Sequence, residues 1–565
     1  MVFLEQNEAE DEKNNCTKCN NRSTIDHHDK KKYHQEVEKI FMRFFSTLAI
    51  SILLVLSGSC TSKKETKVAT ATPSTSVRLS IPTDPGTCDP RKARDLLSID
   101  ISRFLFSGLT RLTADGHVVN DLAESIQLLP DGGTYRIKLK KAFWSDGTPI
   151  SSSDFEYSWK SVLQKQRACP NAFQLFWISR AKDVYDERLP PDHLGVHIVD
   201  DETLDVSLER PCPFFQQLLA IPTFFAVQKS YDESIGLYDG HHTFPSSGPY
   251  TLSLWAPHNS LTMTKNPHFS EKNRVHYDQI LFPIVEDATA LCMFEKQEID
   301  WAGSPMGTIP PDMIPALQKH GKLFFAPATG TVFLRVNVTK PFLSDVRIRE
   351  ACSTVIQKEA IAEHIAQCDN APAQTFAPPC LLLHTPAIKA ADLEKGRALI
   401  ASYCEEKGCS PESISITLAF SAGDRSSKTA QAIQQDLQAL GITLLLQPCE
   451  SRHFYTRVSQ LDYDLSLGSW YADYFDPYSF YGVLERTTNG TNNTGWESIH
   501  YQKLLGESQR TSDPDLRHEK FLELEAILAK ELPIIPLYHA SFAYVKRPTV
   551  EGLSISPLGH IDVAR

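Results

Sequence analysis

The chain has 565 residues, 41% apolar and 22% charged, with 35 prolines against 26 glycines, which is the usage of a folded protein too long for one ordinary hydrophobic core. Its net charge of -12 gives no concentrated Lys/Arg face for a phosphate backbone, and this argues against a nucleic-acid partner. Two or more lobes, and a cleft between them, are the starting expectation.

Residues 1–41 are polar and charged without a sustained period, and translation is expected to start at Met42. Cys16 and Cys19 with His27 and His28 have the composition of a zinc half-site, but the spacing is poor and chance is the simpler reading. From 42 to 59 a charged start, an apolar run through Ile50-Ser51-Ile52-Leu53-Leu54-Val55-Leu56 and the small residues Ser57-Gly58-Ser59 form a signal-peptide pattern. The run is short for a membrane span. Small residues directly before Cys60 resemble the lipobox of bacterial lipoproteins, which would make Cys60 the lipidated first residue of the mature chain; Ser57 departs from the aliphatic residue usual there. Residues 60–76, rich in Thr, Ser, Lys and Ala, then read as a flexible tether. Outside Cys16, Cys19 and Cys60 an even number of cysteines remains; Cys404 and Cys409 are close enough in sequence to bridge, although small buried thiols are an equally good reading.

Tyr135, Ile137 and Leu139 alternate with cations and predict a half-buried strand after the turn Asp131-Gly132-Gly133. Ser153 and Glu156 have capping-box spacing ahead of a helix carrying Phe155, Trp159, Val162 and Leu163. Further on, the strand 414–420, a helix with Ile433, Leu437 and Leu440 closed by Gly441, and the strand 442–446 make a βαβ unit with parallel pairing. Asp513-Pro514 opens a helix with Phe521, Leu524 and Leu528, Pro533 stops it, and Ile534 to Tyr538 read as a buried strand. The fold class is α/β with mixed sheets.

Several segments together resemble the oligopeptide- and dipeptide-binding components of ABC importers, family 5 of the extracytoplasmic solute-binding proteins. Phe106-Ser107-Gly108-Leu109, Asp115-Gly116, Leu122-Ala123-Glu124-Ser125, Trp144-Ser145-Asp146-Gly147-Thr148-Pro149 and Asp154-Phe155-Glu156-Tyr157-Ser158-Trp159 carry the amino-terminal signature. Ser247-Gly248-Pro249-Tyr250, Glu298-Ile299-Asp300, Asp345-Val346-Arg347, Trp470-Tyr471-Ala472-Asp473-Tyr474 and Pro536-Leu537-Tyr538 extend it to the end of the chain, with Gln297 where relatives often have glycine. The resemblance implies a type II periplasmic-binding-protein fold, two lobes hinged around a central cleft. Lobe I would take 77–112, 190–270 and 539–565, an accessory domain 113–189, and lobe II 271–538.

It also implies a ligand: a short peptide, captured outside the cytoplasm and delivered to a membrane permease whose ATP hydrolysis belongs to another subunit. Any such ligand offers an ammonium, a carboxylate and alternating backbone donors and acceptors, so an extended peptide can add as a strand between lobes. By resemblance Asp473 faces the α-ammonium; a packed loop whose aspartate caps a turn is the bland alternative. Lys340 matches one family cation for the carboxylate, though a solvated surface lysine is the better reading, and Leu467 stands where some peptide binders have arginine. Trp470, Tyr471, Ala472, Tyr474, Phe173, Phe176, Trp177 and Tyr538 fall in segments lining the family's cleft, and Cys88, Ser247, Gly248 and His539 in segments that offer backbone or polar contacts. Large aromatics are more often core. A monomer without metal or cofactor is expected. The rivals are a binder of murein peptides or another solute, a periplasmic chaperone, and a hydrolase for which Ser179 and Lys182 have Ser-x-x-Lys spacing without the partner motifs.

Overall fold

A computed structural model describes residues 76–563 apart from 368, 385, 387 and 388. The expectations for residues 1–41, the signal peptide 42–59, the anchor Cys60 and the tether up to residue 75 lie outside the described residues.

Among the described residues three larger sheets organise the chain. The first has four strands in the order Ser76–Arg78, Gln279–Pro283, Ser260–Lys265 and Tyr250–Ala256; its first pair is parallel and the others are antiparallel. An antiparallel sheet of Ala123–Leu128, Thr134–Leu139, Thr203–Ser207 and Val196–Asp200 forms the second. Within it Ile137 and Leu139 are buried while Arg136 and Lys138 face water, as alternation predicts.

The third sheet is mixed. Its order is Trp301–Gly303, Ile534–Lys546, Phe324–Val336, Leu465–Tyr471, Ser415–Ser421 and Thr443–Cys449, with Ala371–Pro372 pairing on Ile534–Lys546. Ser415–Ser421, the helix Asp424–Gln438 and Thr443–Cys449 form the expected βαβ unit, and the strands are parallel. Two antiparallel strands of 13 residues each, Phe324–Val336 and Ile534–Lys546, form the spine of the sheet. Leu334, Val336, Ile535 and Leu537 at one end enter a core shared with the helices Val346–Val355 and Asp424–Gln438. At the other end Ala543 and Val545 pack on the helix Asp287–Glu295. Pairing shifts register between Pro327 and Thr331, beside Gly330, so the strands bend there.

Strand pairing runs across the boundaries expected from the sequence. Val196–Asp200 and Thr203–Ser207, expected in lobe I, hydrogen-bond with the strands of the accessory segment. Gln279–Pro283, expected in lobe II, pairs with Ser76–Arg78 and Ser260–Lys265. Ile534–Lys546 passes residue 539 without a break.

The helix Ser152–Val162 begins two residues earlier than its expected cap: Ser151 is the N-cap, and the Asp154 carboxylate accepts from the Ser151 N–H at 3.0 Å. Ser153 and Glu156 are inside the helix. Asp513 does cap Pro514–Glu531, accepting from the N–H groups of Asp515 and Leu516 at 3.0 Å. Gln297 has φ +67°, a left-handed conformation that explains why glycine suits this position. Cys404 and Cys409 are free thiols, as are the other described cysteines. Asn492 is buried, with its amide donating to the carbonyls of Leu484 and Trp496, so it closes a packed turn. No helix among the described residues is long and apolar enough to cross a membrane.

Candidate functional site

Leu465–Tyr471 lies between Phe324–Val336 and Ser415–Ser421, and its exposure rises along its length: Leu465 is buried, while Ser469 and Tyr471 face solvent. The segment that follows leaves the sheet at its edge. Ala472 N–H donates to the Thr329 carbonyl (2.9 Å), and Asp473 N–H to the Ser479 hydroxyl (2.9 Å). The indole of Trp470 donates to the Ser479 carbonyl at 2.8 Å, which ties the strand end to the turn carrying Asp473. Tyr471 lays its ring across Gly330, where an added Cβ would sit 2.3 Å from that ring, so a side chain at 330 would displace it.

Asp473 itself is exposed, and its carboxylate has no hydrogen-bond or ion-pair partner among the described residues. Protein nevertheless surrounds it closely enough that burial pushes its pKa up to about 6. The carboxylate is open to water yet partly desolvated by the protein beside it, ionised at neutral pH and short of a cation.

Aromatic rings hold this turn. Tyr474 stacks on Phe214, whose ring also stacks on Tyr478 at 5.1 Å, and Trp177 packs edge-on to both Phe214 (5.0 Å) and Tyr478 (5.5 Å). The Arg210 guanidinium lies over the Trp177 ring at 4.2 Å from its centroid. Phe214, Tyr478, Ser479 and Arg210 are additions to the residues singled out from the sequence.

Tyr538 and His539 lie two strands from Tyr471: Val332 pairs with Tyr538 and Ser469, and Thr331 with His539 and Trp470. Both are buried. The His539 Nδ1 lies 3.0 Å from the Thr331 hydroxyl, and burial with Lys358 nearby lowers its pKa to about 4, so the ring is neutral. Thus Trp470, Tyr471, Ala472, Asp473, Tyr474, Trp177, Tyr538 and His539 converge on one region of the molecule.

Other residues singled out from the sequence sit apart from it. Lys340 follows the far end of Phe324–Val336, and the six steps from Gly330 to Val336 alone span roughly 20 Å of strand. Cys88 is fully buried, with burial raising its thiol pKa to about 12. Ser247 is buried and its hydroxyl accepts from the Ser107 N–H at 3.0 Å. Gly248 is wedged against the backbone of Leu105 and Phe106, where a Cβ would approach to 2.7 Å. Phe173 is 54% exposed on the surface, and Phe176 packs on Tyr185 with Lys182 over its face. A separate cavity of about 780 Å3, lined by Lys358, Thr375 and Glu525 among others, includes none of the residues around Asp473.

Residues 117–492 match the family described as bacterial extracellular solute-binding proteins, family 5 Middle. The chain belongs to this family. It is 29% identical to the oligopeptide-binding protein OppA of Bacillus subtilis over 498 residues, 86% of this chain and 91% of that one. Among solved structures, the murein tripeptide binding protein MppA of Escherichia coli superposes with a TM-score of 0.71 at 25% identity, covering 87% of this chain and 98% of that one. The Haemophilus influenzae OppA complex with the peptide RPPGFSPFR gives a TM-score of 0.71 at 21% identity over 87% and 98% of the two chains. The fold is therefore the two-lobed, type II-like solute-binding fold.

Proposed function

We propose that this chain captures short peptides outside the cytoplasm and presents them to the permease of an ABC importer. The carrying observation is Asp473, a carboxylate without a partner among the described residues, in the turn that follows a strand facing solvent at its end. A peptide's α-ammonium supplies the missing charge, and its backbone can pair as an added strand. An ion pair that a bound ligand and lobe closure shut off from water discriminates against ligands lacking the ammonium. Contacts from both lobes would favour the closed state by their differential affinity. ATP hydrolysis belongs to a partner subunit, and binding itself needs no covalent chemistry.

The amino-terminal pattern supports a lipid anchor at Cys60 that holds a monomeric binder at the outer face of a membrane. Mass spectrometry of the mature chain tests this, with an acylated Cys60 expected at its start. For the ligand, native mass spectrometry of the purified protein reads the mass of what co-purifies, and a murein peptide there would change the ligand class. Calorimetry with tri-L-alanine tests the site: Asp473→Ala is expected to weaken binding by about 2 kcal/mol or more. Unchanged affinity would remove Asp473 from the site.

A further inference from the structure

Lys358 opens the short helix Lys358–Ala360, and it is 5% exposed. A lysine ammonium carries three N–H donors and no acceptor, and here one of them is used, at 3.1 Å to the Ala373 carbonyl. No carboxylate among the described residues pairs with it. Asp436 accepts instead from the N–H and the side-chain amide of Gln357, at 3.0 and 2.8 Å. Glu525 accepts from Phe376 and Tyr481, and Glu350 pairs with Lys395 at 2.7 Å. Glu359, the next residue, is exposed. Burial lowers the Lys358 pKa to about 8, so the ammonium keeps its charge at neutral pH. A buried charge is costly to a fold that gives it no counter-ion.

Lys358 lines the cavity of about 780 Å3 that lies apart from Asp473. Lys389 lines it too, exposed and without an ion pair among the described residues, and adds a second positive charge. The opposite character comes from the helix Pro514–Glu531, where Leu522, Ala526 and Ala529 recur at helical spacing and turn one face to the space. Leu532, Ile534 and Pro536 continue this apolar lining. A cavity of this size with apolar walls and a few placed polar groups suits a small organic molecule.

We propose that this cavity is a second binding site, which takes a small monocarboxylate with an apolar tail, its carboxylate on the Lys358 ammonium and its tail against Leu522, Ala526 and Ala529. The site is independent of the peptide reading, since no residue around Asp473 belongs to it. A carboxylate gives acceptors to the idle donors of Lys358 and supplies the counter-ion that the described residues do not. The same charge sets selectivity. An alkylammonium meets two lysines of its own sign, and a neutral alcohol leaves the buried ammonium unpaired.

Octanoate is the probe, with octan-1-ol and acetate as its uncharged and tail-less counterparts, each titrated calorimetrically into the wild-type chain with and without tri-L-alanine. One octanoate per chain is expected, bound about tenfold or more tightly than either counterpart and unaffected by the tripeptide. Lys358→Met keeps the buried stem without the charge and should bind octanoate and octan-1-ol alike. Ala526 is exposed on its helix, so Ala526→Trp fills the cavity without disturbing the core and should lose octanoate binding, which keeps the test open if Lys358→Met fails to fold. Octanoate bound by the wild-type chain no more tightly than octan-1-ol, or bound undiminished by Ala526→Trp, overturns the proposal. Competition between octanoate and tri-L-alanine also overturns it, by placing both in one site. Each of these results leaves the peptide reading intact, whereas a wild-type chain that binds octanoate and no tri-L-alanine counts against that reading and supports this one.

Discussion

Tyr474 lies on Phe214 with ring centroids 4.7 Å apart and planes 10° from parallel, which joins the turn of the candidate anion to a residue 260 positions earlier in the chain. Phe214 is buried and contacts Trp177 and Tyr478 as well, so one ring seats the whole turn. Phe214→Leu keeps most of the volume and loses the stacking. Aromatic pairs are worth about 0.5–1.5 kcal/mol beyond their burial, and a stability loss of about 1–3 kcal/mol is expected by denaturant titration. Peptide affinity should fall with it, because Asp473 is no longer held in place. Lower stability with unchanged affinity would show that the aromatic cluster serves the core alone.

Binding should depend on pH through Asp473. Burial raises the free carboxyl to about 6, and a bound ammonium would pull it down again. The ligand then binds the ionised form, so affinity is level above pH 6 and weakens as pH falls through 6, by about tenfold at pH 5. His539 is held to about 4 and stays neutral over this range. Isothermal titration of tri-L-alanine between pH 5 and 8 reads the slope, and Asp473→Asn should flatten it. A slope that survives in Asp473→Asn assigns the titration to another group.

Local elements were legible because their signals are local. Alternation at 135, 137 and 139, the βαβ pattern after 414 and the Asp513-Pro514 start all appear where periodicity and capping place them. The capping box was misread by two residues because Ser151 with Asp154 and Ser153 with Glu156 have the same spacing, and only the Ser151 and Asp154 pair is made. The strand beginning at Ile534 seemed to stop at Tyr538 since His539-Ala540-Ser541 interrupts the apolar run, yet pairing with Phe324–Val336 carries it to Lys546. Asp473 was singled out through a motif. Phe214, whose ring seats its turn, was not, because tertiary packing and not sequence spacing brings it to Tyr474, and an aromatic residue type does not tell a core ring from a cleft wall. Lys340 sits apart from Asp473 for the same reason, the distance being set by the direction of one strand.

Gln297 follows the helix Asp287–Glu295 and its C-cap Lys296, with φ +67° and an exposed side chain. A left-handed residue with a Cβ costs about 1–2 kcal/mol, and glycine removes that cost while adding some unfolded-state entropy. Gln297→Gly is expected to stabilise the chain by about 0.5–1 kcal/mol in denaturant titration, with no effect on ligand binding.

Glu525 gives the fold its own pH dependence. The residue is buried, one oxygen accepts the Phe376 N–H at 2.8 Å, and the other lies 2.6 Å from the Tyr481 hydroxyl. Burial outweighs these hydrogen bonds and raises its pKa to about 7 from an unfolded value of 4.5. Between those values the folded state holds more protons than the unfolded one, so stability falls as pH rises from 4.5 through 7. Glu525→Gln keeps an acceptor for Phe376 and offers an amide to the Tyr481 oxygen without a charge. It should therefore be close to neutral at pH 5 and stabilising by about 1–3 kcal/mol at pH 8. Denaturant titrations at both pH values measure the difference, and a variant equally destabilised at both would mean that the carboxylate's hydrogen bonds outweigh its desolvation.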